Sequence, residues 1–519
     1  MRKLCRVLFS RYFISAVLIL FELAFLGITL YYFYDYSWFV FAFLVCVNVF
    51  SVISLINRNA NPEYKVSWLV VVLLVPFFGT ALYLMFYSRG VSKKSAKLMK
   101  QVQDGLFIWE ENSDGIPEVR DTEFFMLKAE DALSAGKAFA ILNDDRLASV
   151  YRNTSSKFFG SGEEMYESML SDLRRAEKYI FIEYFIIENT DMWQAIYRIL
   201  KEKVAAGVEV RVIYDDIGCM QTLPAHYDRK LNSDGIKCIR FSPISPRIQA
   251  AHNNRDHRKI LIVDGHVAYT GGINIADEYI NKTERFGHWK DGGIRIFGDA
   301  VKGFLKLFLS AWNFTLGKPS HTDKYFLQDL AGENGDGGYY IPFGSGPAPI
   351  YPRPVGKNAI LNIINQSEKY VYITTPYLII DYDLTESLCN AAMRGVDVRI
   401  ITPGKADKKL VKVMTKSAYP YLIKSGVKIY EYAPGFIHEK TVVSDDRFAI
   451  IGTINLDYRS LVHHFEDAVW IYNSPTVFDI KEEFLNTLSL SDEKDEREAK
   501  LSFPEWCVRN LIRIFAPLL

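Results

Sequence analysis

His257-Arg258-Lys259-Ile260-Leu261-Ile262-Val263-Asp264 and His438-Glu439-Lys440-Thr441-Val442-Val443-Ser444-Asp445 are two copies of one pattern. In both copies the Asp is followed by a Gly (Gly271, Gly452) and an Asn (Asn274, Asn455) at matching offsets. The likeness extends outward. Residues 176–182 (AEKYIFI) return as 367–373 (SEKYVYI), 207–213 (GVEVRVI) as 395–401 (GVDVRII), and 234–237 (DGIK) as 425–428 (SGVK). The order is the same in both halves, which is the mark of a duplicated domain rather than a chance match.

Around the motifs, helical periodicity alternates with short apolar runs. The pattern predicts helices over 163–176 and 192–205, strands over 178–187, 208–214, 236–241, 259–264 and 267–270, and a closing helix over 299–316. Such alternation specifies an α/β fold. We expect two tandem lobes, 151–330 and 355–490, each with a mixed sheet flanked by helices and related by a pseudo-two-fold axis. Residues 331–354, rich in Gly and Pro, read as the inter-lobe loop. Residues 89–150 read as a polar, irregular connector with helical patches. Residues 491–519 read as a charged linker followed by an amphipathic helix that docks on the protein or lies in a lipid interface.

At 519 residues the chain is long for a single core, and its formal charge is +0. A balanced charge argues against nucleic acid as partner, for which a basic surface is the usual footprint. The six cysteines show no metal-finger spacing and read as unpaired thiols. The first 88 residues hold three apolar segments, 12–34, 38–56 and 66–87, each long enough or nearly so to cross a bilayer as a helix. Pro76 and Gly79 interrupt the third, which fits a kinked span or a re-entrant segment. Arg and Lys cluster before the first segment, between the second and third, and after the third. Three full crossings would put the N-terminus and the folded body on opposite faces, so one segment is expected not to cross, with the body on the cytoplasmic side.

Paired histidines suit the splitting of a phosphodiester, in which one ring attacks phosphorus and the other protonates the leaving alcohol. Lys259 and Lys440, two residues beyond their histidines on strands, share a face with them and are placed to meet non-bridging phosphate oxygens. Asn274 and Asn455 add amide donors for the developing charge. With lysines in that role, neither metal nor cofactor is called for. Asp264 and Asp445 complete the repeated motif and are grouped with its catalytic residues, with the ordering of its loops as their expected part. Asp291 and Glu466 are candidates for holding an imidazole in one tautomer. His463-His464 is expected to be structural or exposed, Trp289 to be core, and Asp215-Asp216 to cap a loop.

These residues, together with residues 270–279 (TGGINIADEY), 214–218 (YDDIG), 375–377 (TPY) and 452–460 (GTINLDYRS), resemble the phospholipase D superfamily and, within it, the bacterial cardiolipin synthases. The resemblance runs from about residue 38 to the C-terminus. Residues 61–76, with Asn61-Pro62-Glu63, Trp68-Leu69 and Pro76, resemble that family's N-terminal membrane segments. It implies transfer of a phosphatidyl group from one phosphatidylglycerol to another at a bacterial cell membrane, giving cardiolipin and glycerol through a phosphohistidine. It also implies His257 as nucleophile and His438 as acid and base. The alternatives are a hydrolytic phospholipase D, a related phosphatidyltransferase, a membrane-tethered nuclease of the same superfamily, and a non-catalytic lipid-binding scaffold.

Overall fold

The computed structural model describes residues 37–58, 61–86, 93–113, 119–243, 254–318, 323–326, 335–498 and 502–515, with a few isolated positions besides. It divides into two compact units, residues 1–90 with 510–519, and residues 91–509.

In the larger unit the duplication appears as two sheets with the same strand order. The first runs β1 (Thr154–Phe159), β8 (Gly293–Gly298), β6 (Val267–Gly271), β5 (Lys259–Val263), β2 (Tyr179–Tyr184), β3 (Glu209–Asp215), β4 (Lys237–Phe241). The second runs β9 (Tyr339–Ser345), β18 (Glu466–Tyr472), β16 (Phe448–Gly452), β15 (Thr441–Ser444), β10 (Tyr370–Thr374), β12 (Asp397–Pro403), β13 (Lys428–Tyr432), with β19 (Ser491–Lys494) added at the edge. In each, three parallel strands join an antiparallel set through the motif strand, β5 or β15. Strands buried on both faces are apolar throughout, as Lys259-Ile260-Leu261-Ile262-Val263 is beyond its lysine. The motif glycines serve close strand approach. A Cβ on Gly271 would lie 2.5 Å from the Gly292 carbonyl oxygen, and one on Gly452 2.3 Å from that of Asp467.

Three readings need correcting. The Gly- and Pro-rich stretch 331–354 is not all loop, because Tyr339–Ser345 forms β9, the counterpart of β1, paired with β18. The charged run is not all linker either, since β19 pairs antiparallel with β13. The connector is largely helical. Besides α1 to α3 of the smaller unit (Ser37–Ile56, Pro62–Leu74, Pro76–Phe86), the chain forms α4 (Lys93–Ser113), α5 (Val119–Glu130) and α6 (Ala132–Asp144). Of these, α4 packs on helix Val301–Leu316 and α6 on helix Val355–Gln366, so this stretch belongs to the core of both lobes. Its apolar residues are interleaved with charge, which is why it reads as irregular from sequence.

In the smaller unit, Trp38–Ile56 is long and apolar enough to cross a membrane, the one such helix among the described residues. Segment 12–34 lies, but for isolated positions, outside the described residues. Segment 66–87 is two short helices rather than one kinked helix. It breaks at Val75, where Pro76 disfavours helical backbone in the residue before it. The rings of Trp68 and Tyr83 then meet at 5.8 Å, so α2 and α3 fold back on one another. The tail forms helix Phe503–Phe515.

Candidate active site

A short parallel ladder and a single parallel bridge stitch the lobes together beside the motifs. β7 (His288–Lys290) pairs with β14 (Gly435–Ile437), and Asp256 bridges to Phe465. As a result the His438 amide donates to the Lys290 carbonyl at 2.7 Å, and the His257 amide to the Phe465 carbonyl at 2.8 Å. The next residue along each partner segment is a carboxylate. Glu466 Oε2 of the second lobe lies 2.8 Å from His257 Nδ1, and Asp291 Oδ2 of the first lies 2.7 Å from His438 Nδ1. Each lobe thus grips the other's histidine. With Nδ1 committed to a carboxylate, Nε2 is the ring atom left for chemistry. The proposed partners Asp291 and Glu466 therefore meet their histidines, crosswise.

Both lysines are buried beside their histidines. Lys259 Nζ donates to the His257 carbonyl at 2.8 Å, and Lys440 Nζ lies 2.8 Å from His438 Nδ1 and donates to the His438 carbonyl. Burial pushes Lys259 down to about 8 and Lys440 down to about 7. The histidines are lowered as well, by burial first and then by those lysines, His257 well below its usual range and His438 to about 4. In so buried a place charge on these groups is costly until an anion arrives.

The two carboxylates diverge. Asp291 is held below the ordinary carboxylate range by His438 and Lys440 despite its burial, whereas burial pushes Glu466 up to about 8. Glu466 also accepts from Ser460 Oγ at 2.7 Å and from Thr453 Oγ1.

Asn274 is partly committed, accepting from the Ile186 amide at 3.1 Å and donating to Tyr279 Oη at 2.7 Å, which leaves one amide hydrogen. Asn455 is buried with no hydrogen-bond partner for Oδ1. Asp264 and Asp445 stand apart and do not join the histidines. Asp264 accepts from the amides of Glu177, Lys178 and Tyr179 at 2.7–2.8 Å, and Asp445 from those of Glu368, Lys369 and Tyr370 at 2.9–3.0 Å. They tie down the starts of β2 and β10, about 15 Å along the strand from the lysines. Grouping them with the catalytic residues is thereby corrected.

His464 was missed. Expected to be structural or exposed, it is buried with its ring 5.6 Å from that of His257. A signal was present, since extended backbone puts His464 on the same face as Glu466 two residues on. Trp289 is buried as expected but is also a wall of the site, 5.8 Å from His438, with Tyr279 at 5.5 Å and Phe436 at 5.9 Å. Asp215 accepts from the Ile217 and Gly218 amides and pairs with Arg255 at 2.8 Å, a loop cap as expected. His257, His464 and Glu466 present donor atoms within 4.8 Å of one another, a conceivable metal set. Their hydrogen bonds and the facing Lys259, Lys440 and Arg255 favour an anion there over a cation.

A model described as "Cardiolipin synthase, PLD-like domain" matches residues 169–285 and 360–488, and one described as "Phospholipase_D-nuclease N-terminal" matches residues 46–86. A cardiolipin synthase of Staphylococcus aureus (strain Mu50) is 33% identical over 91% of this chain and 94% of its own length. One from Halalkalibacterium halodurans is 30% identical over 93% and 95%. An uncharacterized protein of Streptococcus mutans is 40% identical over 90% and 99%. Among solved structures, a phosphatidylserine synthase of Haemophilus influenzae superposes with a TM-score of 0.56 at 16% identity, covering 74% of this chain and 98% of its own, which is a likeness of fold. Two lobes in the same strand order, closed around one pair of crossed histidines, and relatives matched nearly end to end place this chain in the cardiolipin synthase family of phospholipase D-like phosphatidyltransferases.

Proposed function

We propose that the chain transfers a phosphatidyl group from one phosphatidylglycerol to the primary hydroxyl of another, forming cardiolipin and releasing glycerol. The observation that carries this is the crossed pair of carboxylate–histidine contacts, which turns one imidazole of each lobe toward a common, lysine-lined space. His257 Nε2 attacks phosphorus, the bond from phosphorus to the glycerol oxygen breaks, and His438 gives that oxygen its proton. The hydroxyl of the second lipid then returns a proton to His438 and attacks phosphorus, and the phosphorus–nitrogen bond breaks. Lys259 and Lys440 hold the non-bridging oxygens, with Asn455 and the remaining amide hydrogen of Asn274. Burial of the site favours a lipid alcohol over water as acceptor.

One observation favours the reverse assignment. With Glu466 pushed up to about 8 and Asp291 held low, a proton is held more readily by the His257 pair than by the His438 pair. A pair holding the extra proton suits the acid, and His438 would then attack.

Phosphatidylglycerol labelled in its headgroup, given to the full chain in vesicles, should yield labelled glycerol together with cardiolipin. Phosphatidic acid as the sole lipid product would make the protein a hydrolytic phospholipase D, and lipid binding without turnover would make it a scaffold. We place the reaction on the cytoplasmic face, on the Arg and Lys that flank the apolar segments.

A further inference from the structure

The backbone at the break between α2 and α3 is satisfied from a neighbouring helix. Val72's carbonyl would normally receive the amide of residue 76, but Pro76 has none. Asn48, within the otherwise apolar α1, donates Nδ2 to the Val72 carbonyl at 2.9 Å, and the same group lies 3.3 Å from the Pro76 carbonyl and from Thr80 Oγ1. An orphaned carbonyl in hydrocarbon is costly, and this contact removes it.

The turn is tight because Gly79 allows it. A Cβ there would lie 2.2 Å from the Val71 carbonyl oxygen. The tip is apolar and open, with Leu73 59% and Leu74 75% exposed, whereas the base is polar, with Lys65 Nζ donating to the Ile56 carbonyl at 3.1 Å and the Arg58 guanidinium 5.9 Å from the Tyr83 ring. A helical hairpin standing in water would have the opposite polarity. Asn48 lies eight residues before Ile56, so the tip reaches about 12 Å along α1, less than half of a hydrocarbon core of about 30 Å. Helices of 13 and 11 residues are each too short to cross.

We infer that α2 and α3 form a re-entrant hairpin that enters one leaflet, is braced at its tip by Asn48, and returns to the face it entered from. The partner is the acyl layer of that leaflet, and the inference stands whichever lipid is the acceptor. It also unifies the charges. In sequence, Arg and Lys flank the hairpin on both sides, at Arg58 and Lys65 before it and from Arg89 to Lys100 after it, as a segment that returns to the face it entered from requires. The hairpin is the segment that does not cross.

Single cysteines placed in the full chain test this, with labelling by a membrane-impermeant maleimide in intact and in permeabilised cells. Only variants that keep transfer activity are scored, and the unsubstituted protein gives the background of native thiols. Ala60→Cys and Arg89→Cys should react only after permeabilisation, Ser37→Cys in intact cells, and Leu74→Cys only once detergent dissolves the bilayer. Ala60→Cys and Arg89→Cys reacting from opposite faces would mean a true crossing and overturn the hairpin. Leu74→Cys reacting from water would overturn its seat in the leaflet. Reaction of both flanking cysteines in intact cells would overturn the cytoplasmic side.

Discussion

His257 shares its pocket with Phe185 and His464, and its carboxylate partner Glu466 is surrounded by the hydroxyls of Ser460 and Thr453. His438, its counterpart under the pseudo-two-fold, lies among the rings of Tyr279, Trp289 and Phe436, and its partner Asp291 is held ionised by His438 and Lys440. Duplication therefore supplied two equal tools, and divergence of their neighbours made them unequal. Trp289 and His464 show how. They occupy equivalent places, two residues before the carboxylates, yet one gives its histidine an apolar wall and the other a second titrating ring.

The comparison breaks most sharply at the histidines themselves. Alanine at either should lower phosphatidyl transfer about 10⁴-fold or more, the scale seen when one member of a catalytic unit is removed. The two variants should nonetheless differ. With a nitrophenyl phosphodiester, whose leaving group needs no proton, the variant that retains the nucleophile should accumulate a covalent adduct. Mass spectrometry that finds it on His257 in His438→Ala supports the first assignment, and on His438 in His257→Ala the reverse. Wild-type turnover with no adduct in either variant would point to direct displacement.

The lysines come next. Lys259→Ala and Lys440→Ala should each cost about 3–4 kcal/mol of transition-state stabilisation, comparable to losing one oxyanion donor. Their titration gives the pH dependence. In the empty site they are lowered to about 8 and about 7, and an anion between them raises both. Binding thus takes up protons, so affinity is full below about pH 7 and falls as pH rises through the empty-site values. Glycerophosphoglycerol, a diester of constant charge, should weaken as a competitor above pH 7, by up to about tenfold per pH unit for each lysine. A flat competition profile between pH 7 and 9 would show that the ammonium groups do not meet the phosphate.

Much of this was legible because it is local. The repeat marked the motif strands and their lysines on the histidine face, and Asp291 and Glu466 stood nearby as candidate partners. That the partners are exchanged between lobes is a long-range fact, since β7 meets β14 through a register that neither segment encodes alone. β9 was hidden for a related reason. Its residues, Tyr-Tyr-Ile-Pro-Phe-Gly-Ser, carry Pro and Gly that read as a loop, and an edge position tolerates them. The break at Pro76 was visible, but the fold-back needed Asn48 on another helix. Asp264 and Asp445 show the limit of a motif, which marks what recurs without separating chemistry from scaffolding.

That distinction is testable. Asp264→Asn and Asp445→Asn should each lower stability by about 1–3 kcal/mol, because a charged acceptor of three backbone amides becomes a neutral one. Transfer by the folded fraction should stay near wild type, as read from activity normalised to a thermal unfolding curve. A loss of activity in fully folded protein would return these residues to the reaction.

The smallest effect is expected at His464, where the two halves differ most in chemistry and least in framework. Its ring helps to lower His257, in a pocket where burial already disfavours charge on either ring. In His464→Asn that lowering is gone while Glu466 still orients His257. Turnover should fall by less than about tenfold, because no bond to the reacting atoms is removed. The acidic limb of the rate profile should move to higher pH, since His257 then holds its proton more readily. His464→Phe, similar in bulk but unable to titrate, should show the same shift. A drop in rate without any shift, in both variants, would mean that His464 acts by packing alone, as Trp289 does on the other side.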